Sequence, residues 1–352
     1  MIPICARRRE REALEHRPYS FDGSAVEKLE TAVSAYHGCR FTVAFNTPES
    51  AMTAALVTAG VNSGDAVIAG AMAPQHHYNA LARLQADIRY CDIGLDGTLY
   101  PKALESLARE EIKAAAFAHF EGIRSASPGL PETAVIEDIT ASLTPFTVTR
   151  TTVWSLETVM PEGVEKTGFL LTDDQEAAET AKRFRNSGRK DGVLWNYDLL
   201  LKGSDAALSA LTASVALHQM ETLGTACDRR AETASRLDGL LGTSTLFDRL
   251  SRSEDDAPNT YAILLTPQLY CPKEDIFSAI EENGVEAAVC CKPVYKTRAY
   301  RDDGIRLSVT EDFYKALLQL PCHHRLNLQE TERIAESVRE ATGTYAYRGC
   351  RF

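Results

Sequence analysis

Between Phe41 and Thr172 short apolar runs alternate with segments whose apolar residues recur at helical spacing, and this alternation restricts the fold more than any other feature of the chain. Strand followed by helix, repeated, delivers parallel strands, and a parallel sheet is stable only when helices cover both its faces. The spacing predicts strands over 41–45, 66–69, 88–92, 114–118, 134–136, 153–156 and 168–172. It predicts helices over 24–36, 49–59, 78–84, 101–109 and 175–185, the first with Ser24 and Glu27 as a capping box. Leu29, Val33, Val43, Leu56, Val67, Ile68, Ile136, Val153 and Leu170 are the expected core.

Beyond Gly203 the pattern changes to one long amphipathic helix over 207–240, long enough to connect two units. Strands over 260–265 and 286–290 and helices over 273–282, 311–318 and 328–340 then complete a smaller α+β unit. The expected division is therefore a large α/β domain over 1–206 and a connecting helix with a small C-terminal domain over 207–352.

Composition excludes several roles. Thirty-eight Lys and Arg against 49 Asp and Glu give a net charge of -11, which argues against nucleic acid as a partner. No apolar stretch reaches the 18 or so residues of a membrane span, and no apolar signal core follows the first charges, so a cytoplasmic chain without membrane contact is expected. Nine cysteines without a C-x-x-C pair indicate reduced thiols and no zinc knuckle.

Several strings in this order carry a family resemblance: Val43-Ala-Phe-Asn46, Val61-Asn-Ser-Gly-Asp-Ala-Val-Ile68, Ala134-Val-Ile-Glu-Asp138, Phe184-Arg-Asn-Ser-Gly188, Trp195-Asn-Tyr197, Gln219-Met-Glu-Thr-Leu223 and the segment 284–294. Together they resemble the DegT/DnrJ/StrS sugar aminotransferases, pyridoxal phosphate (PLP) enzymes of fold type I, over about Ala25 to Glu340. The resemblance implies a mainly parallel sheet, a dimer with sites at the interface, and amino transfer to a keto sugar nucleotide. It also places Asp138 against the cofactor's pyridine nitrogen, where an anion keeps the ring protonated as an electron sink. Ser155 matches the phosphate-contacting serine, and Asn46 and Thr47 fall at the helix N-terminus that cradles the phosphate.

The departures are as specific as the matches. The catalytic lysine position falls on Met160, which can neither form a Schiff base nor move a proton. Pro48 removes an N–H from the phosphate cradle and Glu49 adds a negative charge there. Pro74 stands at the ring-stacking position, Ala141 where His or Gln is expected, and Asp205-Ala-Ala207 where an Asn-Tyr-Arg string reaches the neighbouring subunit. Lys166, six residues beyond Met160, reads as a surface lysine.

His119, His76, His77 and Glu157 are candidates for a substrate pocket. The His76-His77 and His323-His324 pairs are expected to be solvated and not bidentate toward a metal, because neighbours on a strand point to opposite faces, and no metal is expected. Cys290-Cys291 reads as a buried structural pair, and the cluster Arg183, Arg185, Arg189 and Lys190 as a solvated helix end or a diphosphate contact. The expectation is a homologue that binds PLP or pyridoxamine phosphate (PMP) weakly or not at all. It would serve as a binding or partner subunit in nucleotide-sugar, cell-surface glycan or secondary-metabolite assembly, as a homodimer or with an active paralogue. The alternative is an active PLP or PMP enzyme, an aminotransferase or a lysine-less dehydratase, with Glu157, Glu162 or His119 as base.

Overall fold

A computed structural model describes residues 1–5, 24–99, 101–107, 111–124, 130, 133–156, 166–189, 198–269, 271–289 and 292–346. Met160, Glu157, Glu162, Lys190, Cys290 and Cys291 lie outside the described residues.

Seven strands form the main sheet: β1 (Phe41–Phe45), β2 (Ala66–Gly70), β3 (Asp87–Cys91), β4 (Ala114–Ala118), β5 (Ala134–Asp138), β6 (Thr151–Trp154) and β7 (Gly168–Thr172), in the order β1-β7-β6-β5-β4-β2-β3. The pairs from β6 through β3 are parallel, and β7 alone runs against its neighbours β6 and β1. The helices are α1 (Ser24–His37), α2 (Pro48–Thr58), α3 (Gln75–Leu84), α4 (Pro101–Leu107) and α5 (Gln175–Arg185). The expected alternation and the mainly parallel sheet are thus present. Every residue of the expected core is 1% exposed or less.

Successive strand residues feed opposite faces of the sheet. Val43, Val153 and Leu170 pack with Leu56, Leu81 and Phe184 on one side. Ala44, Trp154, Phe169 and Leu171 pack with Leu29 and Val33 of α1 on the other. The long helix α6 (Ala210–Leu241) is shared: Ala213, Ala216 and Leu223 join that second layer, whereas Ala234, Leu237 and Leu241 join the C-terminal core.

That C-terminal core lies on an antiparallel sheet of β8 (Phe247–Arg249), β9 (Thr260–Leu265) and β10 (Leu317–Pro321), with α7 (Lys273–Glu282), α8 (Ser308–Ala316) and α9 (Leu328–Tyr345). Two expectations need correction here. The run Leu317-Leu-Gln-Leu-Pro321 leaves the helix and becomes β10, pairing with β9 along its whole length. The stretch expected as a strand over 286–290 makes only an isolated bridge, Ala288 with Gln319, among its described residues.

Candidate functional site

The sheet brings the C-terminal ends of β2, β4 and β5 side by side, which is where open α/β sheets bind ligands. Asp138 is the last residue of β5, held in register between Ala118 of β4 and Val153 of β6, and is 1% exposed. Its Oδ1 accepts the Thr140 N–H at 2.7 Å. Its Oδ2 accepts from two imidazoles, His76 Nε2 at 2.5 Å and His77 Nε2 at 2.6 Å.

Convergence of two adjacent histidines overturns the expectation that they point apart into solvent. The helix α3 starts at Gln75, three residues earlier than the apolar spacing indicates, so both histidines sit in its first turn and on no strand. Helical side chains lean toward the helix N-terminus, and in the first turn they project past the helix end. Here that end faces the tip of β5. His77 is fully buried and the His76 side chain is 12% exposed, with the two ring centroids 5.2 Å apart.

Burial by itself would raise the Asp138 carboxyl, but the charges and hydrogen bonds of the two imidazoles outweigh it and hold the group well below the usual carboxylate range. Burial pushes His77 down, against the pull of Asp138. The arrangement is an ionised carboxylate receiving N–H groups from both rings.

His119 follows β4, 3% exposed, and its backbone N–H donates to the Asp138 carbonyl at 2.9 Å. Burial lowers its pKa to about 4, so the ring is neutral at pH 7. His119 and Asp138 share a hollow with Gly70, Met72, Pro74 and Thr140. Of the sequence candidates, Asp138, His76, His77 and His119 are therefore brought together.

A second, polar hollow opens at the N-terminus of α2 and is lined by Asn46, Thr47, Glu49, Gln75, Lys166 and also His76. His76 thus stands between this hollow and Asp138. Thr47 caps α2, its hydroxyl oxygen accepting from the Ser50 N–H, and the Asn46 Oδ1 accepts from the Ser50 hydroxyl. Pro48 occupies the first helical position, where its fixed φ suits the helix but it offers no N–H. Glu49 pairs with Arg83 at 2.6 Å and accepts from Asn79 at 3.2 Å. Lys166 is exposed, as expected, but on the wall of this hollow. Ser155 is fully buried, with its hydroxyl donating to the Thr167 carbonyl at 2.8 Å.

These residues do not fit PLP held through the contacts that the resemblance implies. Oδ1 of Asp138 accepts from Thr140 and Oδ2 from two imidazoles, so a pyridine nitrogen placed on Oδ2 displaces them. His76 stands between Asp138 and the α2 cradle, where Pro48 lacks a donor and the Glu49 carboxylate occupies the rim, paired with Arg83. The Ser155 hydroxyl is committed to a strand carbonyl. The sequence points to Asp138 and to both histidines as pocket candidates, but not to their convergence on one carboxylate. The available signal was Pro74, which ends the extended segment and starts the helix one turn earlier than the apolar residues do.

The model of the DegT/DnrJ/EryC1/StrS aminotransferase family matches residues 6–132 and 160–339. A UDP-4-amino-4,6-dideoxy-N-acetyl-beta-L-altrosamine transaminase of Campylobacter jejuni is 24% identical over 336 residues, covering 90% of this chain and 89% of the relative. Among solved structures, Helicobacter pylori PseC, an aminotransferase involved in the biosynthesis of pseudoaminic acid, superposes with a TM-score of 0.82 at 22% identity, covering 92% of this chain and 93% of that one. The PMP form of the putative sugar aminotransferase Spr1654 from Streptococcus pneumoniae gives 0.83 at 19% identity, covering 94% of each chain. The described sheet and helices are those of a fold-type I aminotransferase.

Proposed function

Because the chain belongs to the DegT/DnrJ/EryC1/StrS aminotransferase family, we propose that it is a sugar-aminotransferase homologue whose centre has lost Schiff-base transamination. On this reading the fold is kept to bind a sugar nucleotide or to pair with a second subunit in nucleotide-sugar assembly. The observation that carries it is the double occupation of Asp138 Oδ2 by His76 and His77. Met160 at the lysine position, Pro48 and Glu49 at the cradle, and Pro74 at the stacking position support the same reading from the sequence.

The test is to incubate the purified protein with PLP, reduce with borohydride and measure intact mass, in parallel with an amino-transfer assay from glutamate to a UDP-keto sugar. The expected result is no stoichiometric phosphopyridoxyl-lysine and no amino transfer, together with saturable binding of a UDP-sugar by calorimetry. A stoichiometric adduct with turnover overturns the proposal. One observation favours the alternative of an active PLP enzyme: Lys166 lines the hollow beside Thr47. Peptide mapping of any reduced adduct to Lys166 would establish that reading in its place. Assembly follows from the same proposal. Interfaces of obligate type bury on the order of 2,000 Å² or more, so a dimer that persists at micromolar concentration in light scattering is expected, alone or with a paralogue.

A further inference from the structure

We propose that His76, His77 and Asp138 form a binding site for one divalent first-row transition-metal ion, of the zinc or ferrous type, at the place where the fold would otherwise hold an organic cofactor's ring. This goes beyond the proposed loss of transamination and does not depend on it. A chain with or without residual amino transfer can hold the ion or fail to.

The donor atoms carry the argument. Two imidazole nitrogens and one carboxylate oxygen, one from each residue, all lie within 4.8 Å of one another. They come from two fixed elements: the first turn of α3, and the end of β5, whose backbone is pinned between β4 and β6. Thr140 holds one oxygen of Asp138 in place, and both imidazoles face the other, so two nitrogens and one oxygen meet at one point. The second ring, His77, is wholly buried, and its Nδ1 has no hydrogen-bond partner among the described residues. Buried this deeply, His77 presents its Nε2 beside Oδ2 out of reach of solvent, where it can serve as a donor to an ion.

The geometry is close to what coordination requires. Bonds of about 2.0–2.2 Å to nitrogen and carboxylate oxygen place donors roughly 3.3 Å apart around a tetrahedral ion. The imidazoles now stand 2.5 and 2.6 Å from Oδ2, so each opens by under 1 Å, within reach of small side-chain rotations. A set of two imidazoles and one carboxylate suits zinc, iron, cobalt or nickel, whereas magnesium and calcium take oxygen ligands. Three protein ligands leave a coordination position free, the arrangement of metal sites that bind water or substrate. Asp138 lines the hollow it shares with His119, and His76 lines the hollow at the α2 N-terminus, so a small molecule in either reaches the cluster.

The experiment uses the full chain stripped with a chelator and dialysed, then titrated separately with Zn²⁺, Co²⁺ and Mg²⁺. One equivalent of Zn²⁺ per chain by elemental analysis, Co²⁺ d–d bands in the visible, and no Mg²⁺ uptake are expected. His77→Ala is expected to weaken Zn²⁺ binding at least tenfold, and Asp138→Asn to abolish it, with circular dichroism confirming that each variant is folded. X-ray absorption on the zinc-loaded wild-type protein gives an answer even if a variant does not fold. A first shell of nitrogen and oxygen with two imidazoles supports the site, and sulfur ligands from the scattered cysteines overturn it. Stoichiometric uptake that is unchanged in folded His77→Ala and Asp138→Asn, or no uptake by the wild-type chain, also overturns it.

Discussion

Removing both histidines, His76→Ala with His77→Ala, is expected to make the protein bind PLP more tightly. Each imidazole gives Oδ2 a charge-assisted hydrogen bond, and such bonds contribute about 1.5–3 kcal/mol. A pyridinium nitrogen that takes their place restores one bond for two lost. The deficit is therefore one such bond, about 1.5–3 kcal/mol, or roughly ten- to a hundredfold in Kd. In the double variant the deficit disappears, and Asp138 is left as a buried carboxylate without a partner on Oδ2. Breaking a buried charge pair typically costs about 3–5 kcal/mol of stability, so the variant should also unfold at lower denaturant and regain more stability from added PLP than the parent does. The assay is a PLP titration by absorbance after dialysis, in chelator so that no metal ion competes, alongside denaturation midpoints with and without PLP. His76→Ala alone, which keeps the buried ring of His77, serves as the milder variant. Equal PLP affinity in parent and variants, or a parent that already retains stoichiometric PLP through dialysis, would refute the reasoning.

Three further outcomes are expected. His37 is buried against Trp154 with its pKa lowered to about 3, so the unfolded chain takes up a proton below the ordinary imidazole value of about 6.5 that the folded chain refuses. Its contribution is full above pH 6.5 and declines as pH falls, by about 2 kcal/mol between pH 7 and 5; denaturation in His37→Leu should lose that part of the pH slope, and an unchanged slope would contradict it. In Gly168→Ala the new Cβ overlaps the Thr47 carbonyl where β7 passes the α2 cap, so a loss of about 1–3 kcal/mol or more is expected, measured by chemical denaturation, and a neutral effect would show that this contact can yield. Leu223→Ala and Leu237→Ala, in the two halves of α6 that join different cores, should each cost about 2–5 kcal/mol; hydrogen exchange should report the first in the main sheet and the second around β9.

Much of the fold is legible in the sequence because its strands are apolar on both faces. Phe41–Phe45, Ala114–Ala118 and Gly168–Thr172 coincide with their expected limits, since a strand covered on both faces reads as a largely apolar run between turn residues. The run Leu317–Pro321 failed the same test: it follows α8 without a turn residue, and apolar residues at helical spacing lead straight into it. Periodicity has no means of separating those two states when the run is short. At the site, Asp138 is visible because it ends a strand in a string with family character. Its histidine partners are hidden because the start of α3 is fixed by Pro74 and by docking against β5, neither of which alters the spacing of apolar residues. Neighbouring side chains point to opposite faces only on a strand, and His76 and His77 lie in the first turn of a helix.

The central claim is that Asp138 is committed to the protein's own imidazoles in place of a cofactor ring. A crystal structure of the wild-type chain grown with excess PLP tests it most directly. His76 and His77 are expected to remain directed at Asp138, by direct hydrogen bonds or through a metal ion, with no pyridine nitrogen on Oδ2. A pyridoxal ring seated between Asp138 and the N-terminus of α2, with both imidazoles turned aside and its C4′ bonded to a lysine, would contradict it.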